Sequence, residues 1–346
     1  MKKILIIRLS SLGDVLLATP LIRQLRQKYP QVQLDFLVRK DYAELLQHHP
    51  GLSRLIEFDV QQGFSSLKKL RKKIRQTRYD IILDIHNNLR SRYLCSSLPF
   101  LSFFNTRIYR IRKNQLIRIL LVKFKINLYR KIYGRVIPVW EKYLRTARSL
   151  GVTADDGRSD LFFPEEAITA AQNFRAALEE GQWDIAMAPG ARHYSKRWPE
   201  EYFVELIRKL FAKADLKTIL IGGEEDTPVI EKILQQLPKG MAVSAAGKLS
   251  LLETAALIKQ SKLMISNDSG LMHLGAALDV RLIAIFGSTV EELGFYPNSP
   301  KAVVMENQGL YCRPCSHIGR SDCPEKHFRC MREITPDNIL STVIQK

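Results

Sequence analysis

The sequence has 346 residues, 46% hydrophobic and 25% charged, with a formal net charge of +18, a size and balance that suit a soluble globular protein of two ordinary domains. No apolar run is long enough to span a bilayer, and the opening Ile4-Leu5-Ile6-Ile7 stops at Arg8, too short for a signal peptide. A membrane-spanning or signal-led protein is therefore not expected, and the expected location is the cytoplasm.

Taken in chain order, Lys3 to Arg8 reads as a buried parallel strand, and Leu9 to Asp14 as the turn after it. A helix then runs toward Tyr29 and Pro30, with Pro20 either kinking it or sitting in its first turn. Val32 to Val38 is a second strand, Tyr42 to His48 a weak helix, Leu67 to Thr77 a basic helix, and Asp80 to Asp84 another strand. This is the βαβα rhythm of a doubly wound sheet. From Lys68 to Arg148 there are 22 Lys or Arg against only Asp80, Asp84 and Glu141. That segment carries the whole charge excess, so its partner is acidic: nucleic acid, an anionic membrane or a polyanionic substrate. Within it, Pro99 to Trp140 threads aromatic and aliphatic residues through Arg and Lys at helical spacing. This is the composition of a segment lying on anionic lipid, and equally of helices packing an apolar face on a core.

Phe162-Phe163-Pro164 closes the first half, Glu165 to Glu179 forms a linker helix, and the rhythm restarts. Asp184 to Ala188, Lys217 to Ile221, Leu263 to Ser266 and Arg281 to Phe286 are the expected strands. Tyr202 to Lys213, Pro228 to Leu237 and Leu251 to Gln260 are the helices between them. The stretch Lys262 to Phe286 reads as strand, turn, helix, strand, with Asn267-Asp268-Ser269-Gly270 as the turn. The N–H groups opening the next helix could hold a diphosphate there; Asp268 and Ser269 are also ordinary N-cap residues.

Several nucleotide and hydrolase signatures are absent. No G-x-G-x-x-G follows the first strand, Gly247-Lys248 lacks the Walker spacing, and there is no H-E-x-x-H or G-x-S-x-G. What the chain carries is a series of strand-end turns: Arg8 to Asp14, Pro189 to Arg192 with Lys196 to Pro199, Gly222 to Glu224, Ala246 to Ser250, and Asn267 to His273.

The segments ILIIRLSSLGDVLLATPLIRQLRQKYP, PGARHYSKRWPEEYF, IGGEED, AGKLSLLETAALI and SNDSGLMHLGAA, in that order, resemble glycosyltransferase family 9, the heptosyltransferases of lipopolysaccharide assembly. The resemblance implies a GT-B fold, α/β, with two Rossmann-like doubly wound domains facing across a cleft. Its expected divisions are an acceptor domain over 1–163, a linker helix with a nucleotide-sugar domain over 164–335, and a C-terminal helix over 336–346 that could pack back on the first domain. It implies ADP-heptose as donor and an anionic lipid A–Kdo acceptor. It also implies a protein peripheral on the inner face of the inner membrane through the Lys68 to Arg148 region, with no nucleic-acid partner.

By the same resemblance, Asp14 in its S-S-x-G-D motif is the general base, and Ser10, Ser11 and Gly13 beside it are substrate-binding residues. An inverting transfer needs one such carboxylate, although Asp14 could instead serve its helix dipole. Lys196 of K-x-W-P would meet the donor diphosphate; the chain has no D-x-D motif to bring a metal there, so no cofactor is expected for catalysis. Asp268, Ser269, Gly270 and His273 would contact phosphates and sugar, while Glu224 and Leu249 would border ribose and adenine. Arg192, where some family members carry a Thr pair, could supply a charged phosphate contact.

Cys312, Cys315, Cys323 and Cys330 fall close together, with Cys95 apart. Four thiols at this spacing in a reducing compartment suit a structural zinc or iron, free packed thiols, or, less readily, disulfides; His317 and His327 could stand in as ligands. Two other functions remain open: a GT-B transferase for another nucleotide sugar, and a non-catalytic polyanion- or nucleic-acid-binding protein on the same fold.

Overall fold

Branched aliphatic runs become parallel strands where both faces can be covered, and Ile4, Leu5, Ile6 and Ile7 are each wholly buried. The computed structural model describes residues 2–96, 106–179 and 181–344. The chain divides into two units, Met1–Lys113 with Pro138–Phe162, and Asn114–Ile137 with Phe163–Lys346.

The first unit is built on β1 (Lys3–Ile7), β2 (Gln33–Arg39), β3 (Arg54–Phe58), β4 (Ile81–Asp84) and β5 (Arg107–Arg110). All are parallel, in the order β3-β2-β1-β4-β5. The helix expected after β1 is broken into Leu12–Leu16 and Thr19–Lys28. Pro20 lies in the first turn of the second piece, where a missing N–H costs no hydrogen bond. The basic helix Gly63–Thr77 buries Ser66, Leu67, Leu70 and Ile74, leaving Lys68, Lys69, Lys72 and Lys73 exposed.

The second unit carries β6 (Gln182–Ala188), β7 (Leu216–Leu220), β8 (Ala242–Ser244), β9 (Leu263–Asn267), β10 (Arg281–Phe286) and β11 (Ala302–Glu306). These are again all parallel, ordered β11-β10-β9-β6-β7-β8. In each sheet the first strand has neighbours on both sides that follow it in the chain. The order therefore reverses between β1 and β4 and between β6 and β9, and a crevice opens beyond the carboxyl ends of those strands.

The domain divisions read from the sequence change in two places. Residues 114–137, expected in the first domain, belong to the second unit. Leu121 and Tyr129, on the helices Gln115–Phe124 and Tyr129–Tyr133, bury themselves against Leu293. Arg130 pairs with Glu291 at 2.9 Å, and Asn127 donates to Glu292 at 2.8 Å. The C-terminal helix Pro336–Ile344 lies on Glu200–Ala214 of its own unit, with Lys209 bonded to Asp337 at 2.7 Å. Arg281 donates to the last carbonyls of that helix, on Thr342 and Val343, favourable at a helix C-terminus. The start of the expected Pro99 to Trp140 segment, through residue 105, lies outside the described residues.

Candidate active site

In the first unit the turn after β1 sits at the β1/β4 reversal. Ser11 caps the helix Leu12–Leu16 and Asp14 is its third residue, so the Asp14 carboxylate folds back to accept from Ser11 N–H (3.3 Å) and Ser11 Oγ (3.1 Å). Arg8 grips the same oxygen, with Nη2 2.6 Å from Oδ2, and donates through Nη1 to the Ile85 carbonyl at 3.0 Å. The other oxygen, Oδ1, accepts from the Tyr143 hydroxyl at 2.8 Å. Burial alone would raise the Asp14 pKa, but the Arg8 charge, the Tyr143 hydroxyl and the Ser11 N–H outweigh it and hold the carboxyl below its ordinary range. Asp14 is therefore an ionised, oriented carboxylate, and Oδ1 keeps a lone pair beyond the one Tyr143 uses. His86, at the end of β4, is held neutral: burial and the nearby positive charge of Arg8 and Lys113 push its pKa down to about 3.

In the second unit the β6/β9 reversal gathers the expected turns. Asn267, the last residue of β9, accepts from Trp198 N–H (3.1 Å) and donates to the Pro189 carbonyl (2.7 Å), tying the lysine turn to the sheet. Trp198 is buried edge-on against Phe203 and donates to the Ile334 carbonyl at 2.7 Å, so Lys196 projects from a fixed base. Its ammonium lies 2.7 Å from Asp268 Oδ2, which also accepts from Thr289 Oγ1 at 2.5 Å. Asp268 is only 5% exposed. One of the three Lys196 donors is thus committed to Asp268, leaving two for an anion.

Ser269 stands at the N-cap of Gly270–Ala277, whose first N–H groups have no partner within the helix. His273 is buried one turn on, edge-on to Phe295 with ring centres 6.5 Å apart. Together these place a cation and a helix N-terminus at one strand end, an arrangement suited to phosphates.

The neighbouring turns pack closely. A Cβ on Gly190 would lie 2.0 Å from Asp226 Oδ1, so only glycine lets the Asp226 carboxyl seat against the lysine turn. Asp226 accepts from Gly223 N–H at 3.1 Å, and its burial raises its pKa. Glu224 is exposed at the end of β7, and a Cβ on Gly247 would come within 3.7 Å of its Cα. Leu249 is half-buried just before the capped helix Leu251–Lys259, and Arg192 is exposed in the turn after β6. Ser10 is half-buried and Gly13 buried beside Asp14.

Sequence reasoning missed Arg8, Tyr143, His86, Asn267 and Thr289. Arg8 passes for the end of a strand and Tyr143 for one more aromatic in a basic helix; only the folded contacts give them roles. The four C-terminal cysteines are free thiols that line one small cavity with His327. His317 lies elsewhere, near Arg118 and Lys196. Among the described residues no three His, Cys, Asp or Glu side chains form a ready-made metal cage.

Two parallel doubly wound units, each with charged groups at its strand-order reversal, have the architecture of the GT-B fold. The model of glycosyltransferase family 9 (heptosyltransferase) matches residues 67–326, and the chain belongs to that family. It is 29% identical to lipooligosaccharide heptosyltransferase 2 of Haemophilus influenzae over 97% of both chains. It is 26% identical to lipopolysaccharide heptosyltransferase 2 of Escherichia coli, over 98% of this chain and 96% of that one. Among solved structures, the family 9 glycosyl transferase of Veillonella parvula matches with a TM-score of 0.80 at 23% identity, over 99% of this chain and 96% of that one.

Proposed function

We propose that this glycosyltransferase moves heptose from ADP-heptose to the Kdo/heptose inner core on lipid A, with inversion at the anomeric carbon. The observation that carries the reading is a fixed, ionised carboxylate at the reversal of one sheet and a fixed cation with a helix N-terminus at the reversal of the other. The acceptor hydroxyl oxygen attacks the anomeric carbon, its proton passes to Asp14 Oδ1, and the bond from the anomeric carbon to the diphosphate oxygen breaks. The departing ADP takes the electron pair, and its charge is met by Lys196 and the N–H groups after Ser269. Arg192 adds a phosphate contact, Glu224 accepts from ribose hydroxyls, Leu249 borders adenine, and His273 faces the sugar. No cofactor takes part in this sequence.

Incubation with ADP-heptose and a truncated core acceptor, followed by mass spectrometry, tests the reading. A gain of one heptose supports it, and no gain with ADP-heptose alongside turnover of a UDP-sugar would replace the donor. Tyr143→Phe refines the role of Asp14. With one donor to the charged form removed, the Asp14 pKa rises, so the acid limb of kcat/KM moves up by about 1 pH unit. An unmoved limb would show that Asp14 does not set it.

The acceptor is anionic and lipid-linked, and we place the protein at the cytoplasmic surface of the inner membrane. The helix pair Gln115–Phe124 and Tyr129–Tyr133 supports this, exposing Leu116, Phe124 and Ile132 among Lys123, Arg130 and Lys131. No described helix is long and apolar enough to cross a membrane. Flotation with phosphatidylglycerol vesicles should carry the protein, phosphatidylcholine vesicles should not, and Phe124→Asp should weaken the first about tenfold. Equal binding to both vesicle types would remove the charge argument.

A further inference from the structure

The longest irregular stretch of the second unit runs from the end of β11 to the short helix Arg329–Arg332, residues 307–328. It exceeds the ~12–15 residues beyond which a loop without secondary structure needs some organiser of its own. Its apolar content is thin: Tyr311, at 68% exposure, and Ile318 face solvent. Into one cavity of about 10 Å³ it turns Cys312, Cys315 and Cys323, joined by Cys330 from the following helix.

Two N–H groups are aimed at the sulfurs. Phe328 N–H donates to Cys323 Sγ at 3.4 Å. His327 Nδ1 accepts from Arg329 N–H at 3.0 Å, which fixes the imidazole proton on Nε2, and that nitrogen lies 3.9 Å from Cys312 Sγ. Cations are anchored just outside. Lys125 Nζ donates to the carbonyls of Cys312 (2.9 Å) and Pro314 (2.6 Å), and Arg320 Nε to that of Cys315 (3.0 Å). Four thiols lining one small cavity, N–H donors on two of the sulfurs and flanking positive charge are features that four thiolates around a divalent ion would use.

We propose that Cys312, Cys315, Cys323 and Cys330 form a structural site for one thiophilic divalent ion, zinc or ferrous iron, with His327 as a hydrogen-bond donor to Cys312 and not a ligand. Among the described residues these side chains do not of themselves close into a cage; binding turns the four sulfurs onto the ion, and each thiol releases its proton to solvent. The resulting site carries two negative charges, offset by Lys125 and Arg320. The loop so fixed supports the lysine turn: Ser195 N–H donates to the Arg320 carbonyl (3.1 Å), and Arg320 N–H to Ser195 Oγ (2.8 Å). Arg313 holds the carbonyls of Gly287 and Thr289, and Thr289 in turn donates to Asp268.

The test uses the full chain purified without chelator or metal-affinity resin. Elemental analysis should find about one zinc or iron per chain, and added Co²⁺ should give the absorption of a tetrahedral tetrathiolate. A chelator titration should lower the melting temperature, whereas Cys95→Ser, far from the loop, should keep the metal. His327→Ala should retain the tetrathiolate spectrum with affinity reduced about 10–100-fold; loss of one sulfur-free ligand from the spectrum would instead make His327 a ligand and overturn its role. Cys330→Ser should lose the metal; should that variant not fold, the wild-type analysis still decides. Metal well below one per chain, no Co²⁺ uptake and thiols that react at the same rate with and without Zn²⁺ would overturn the site, as would disulfides among the four by mass spectrometry.

Discussion

An Asp14→Asn variant should lose about 10²–10⁴-fold in kcat for heptose transfer, with ADP affinity measured by calorimetry unchanged, because the groups assigned to the diphosphate belong to the other unit. Asn keeps a carbonyl for Tyr143 but leaves the Arg8 guanidinium without its counter-ion in a half-buried turn. The same variant tests the electrostatics. The folded Asp14 pKa lies below the unfolded value of about 3.9. Its contribution to stability is therefore fully present above that value and is lost as pH falls through the lower folded value. Urea unfolding across the acid range should show this loss in the wild type and a weaker one in Asp14→Asn. A variant that transfers heptose at the wild-type rate would remove Asp14 from the chemistry and reduce it to a partner of Arg8.

Lys196→Met should be comparably damaging, for two separable reasons. It removes the charge proposed to meet the leaving ADP, which by analogy with the loss of one preorganised donor lowers kcat about 10²–10³-fold. It also leaves Asp268 buried with Thr289 as its donor and no cation, a loss of about 3–5 kcal/mol by the measure of broken buried pairs. Adding Asp268→Asn to Lys196→Met separates the two. Removing the stranded charge should restore much of the melting temperature while leaving turnover low. Recovery of turnover together with stability would show that Lys196 only supports the loop.

Much of this was legible in the sequence because it was written in contiguous residues. Buried central strands such as Ile4 to Ile7 and Leu263 to Asn267 are apolar runs with turn residues at their ends, and in a parallel sheet those ends are where ligands gather. The edges were not legible. β3 alternates exposed and buried positions in RLIEF, β8 is three half-buried residues, and β5 has no buried position, so none carries the continuous apolar signal of a central strand. The clamp on Asp14 was hidden for a different reason. Tyr143 lies 129 positions away along the chain, and nothing local to a basic amphipathic helix marks which of its aromatics turns inward. The same holds for residues 114–137, whose allegiance is decided by Leu293 and Glu291 far downstream.

That allegiance makes the polypeptide pass from one unit to the other three times, near residues 113, 137 and 162. During synthesis the nascent chain therefore presents the oily pair of helices long before Leu293 has left the ribosome, and must shield them while the first unit receives its closing segment with Tyr143. Splitting the gene at the obvious Phe163 seam would strand those helices on the wrong fragment, and no single cut leaves both units whole, because each is built from two separate stretches of chain.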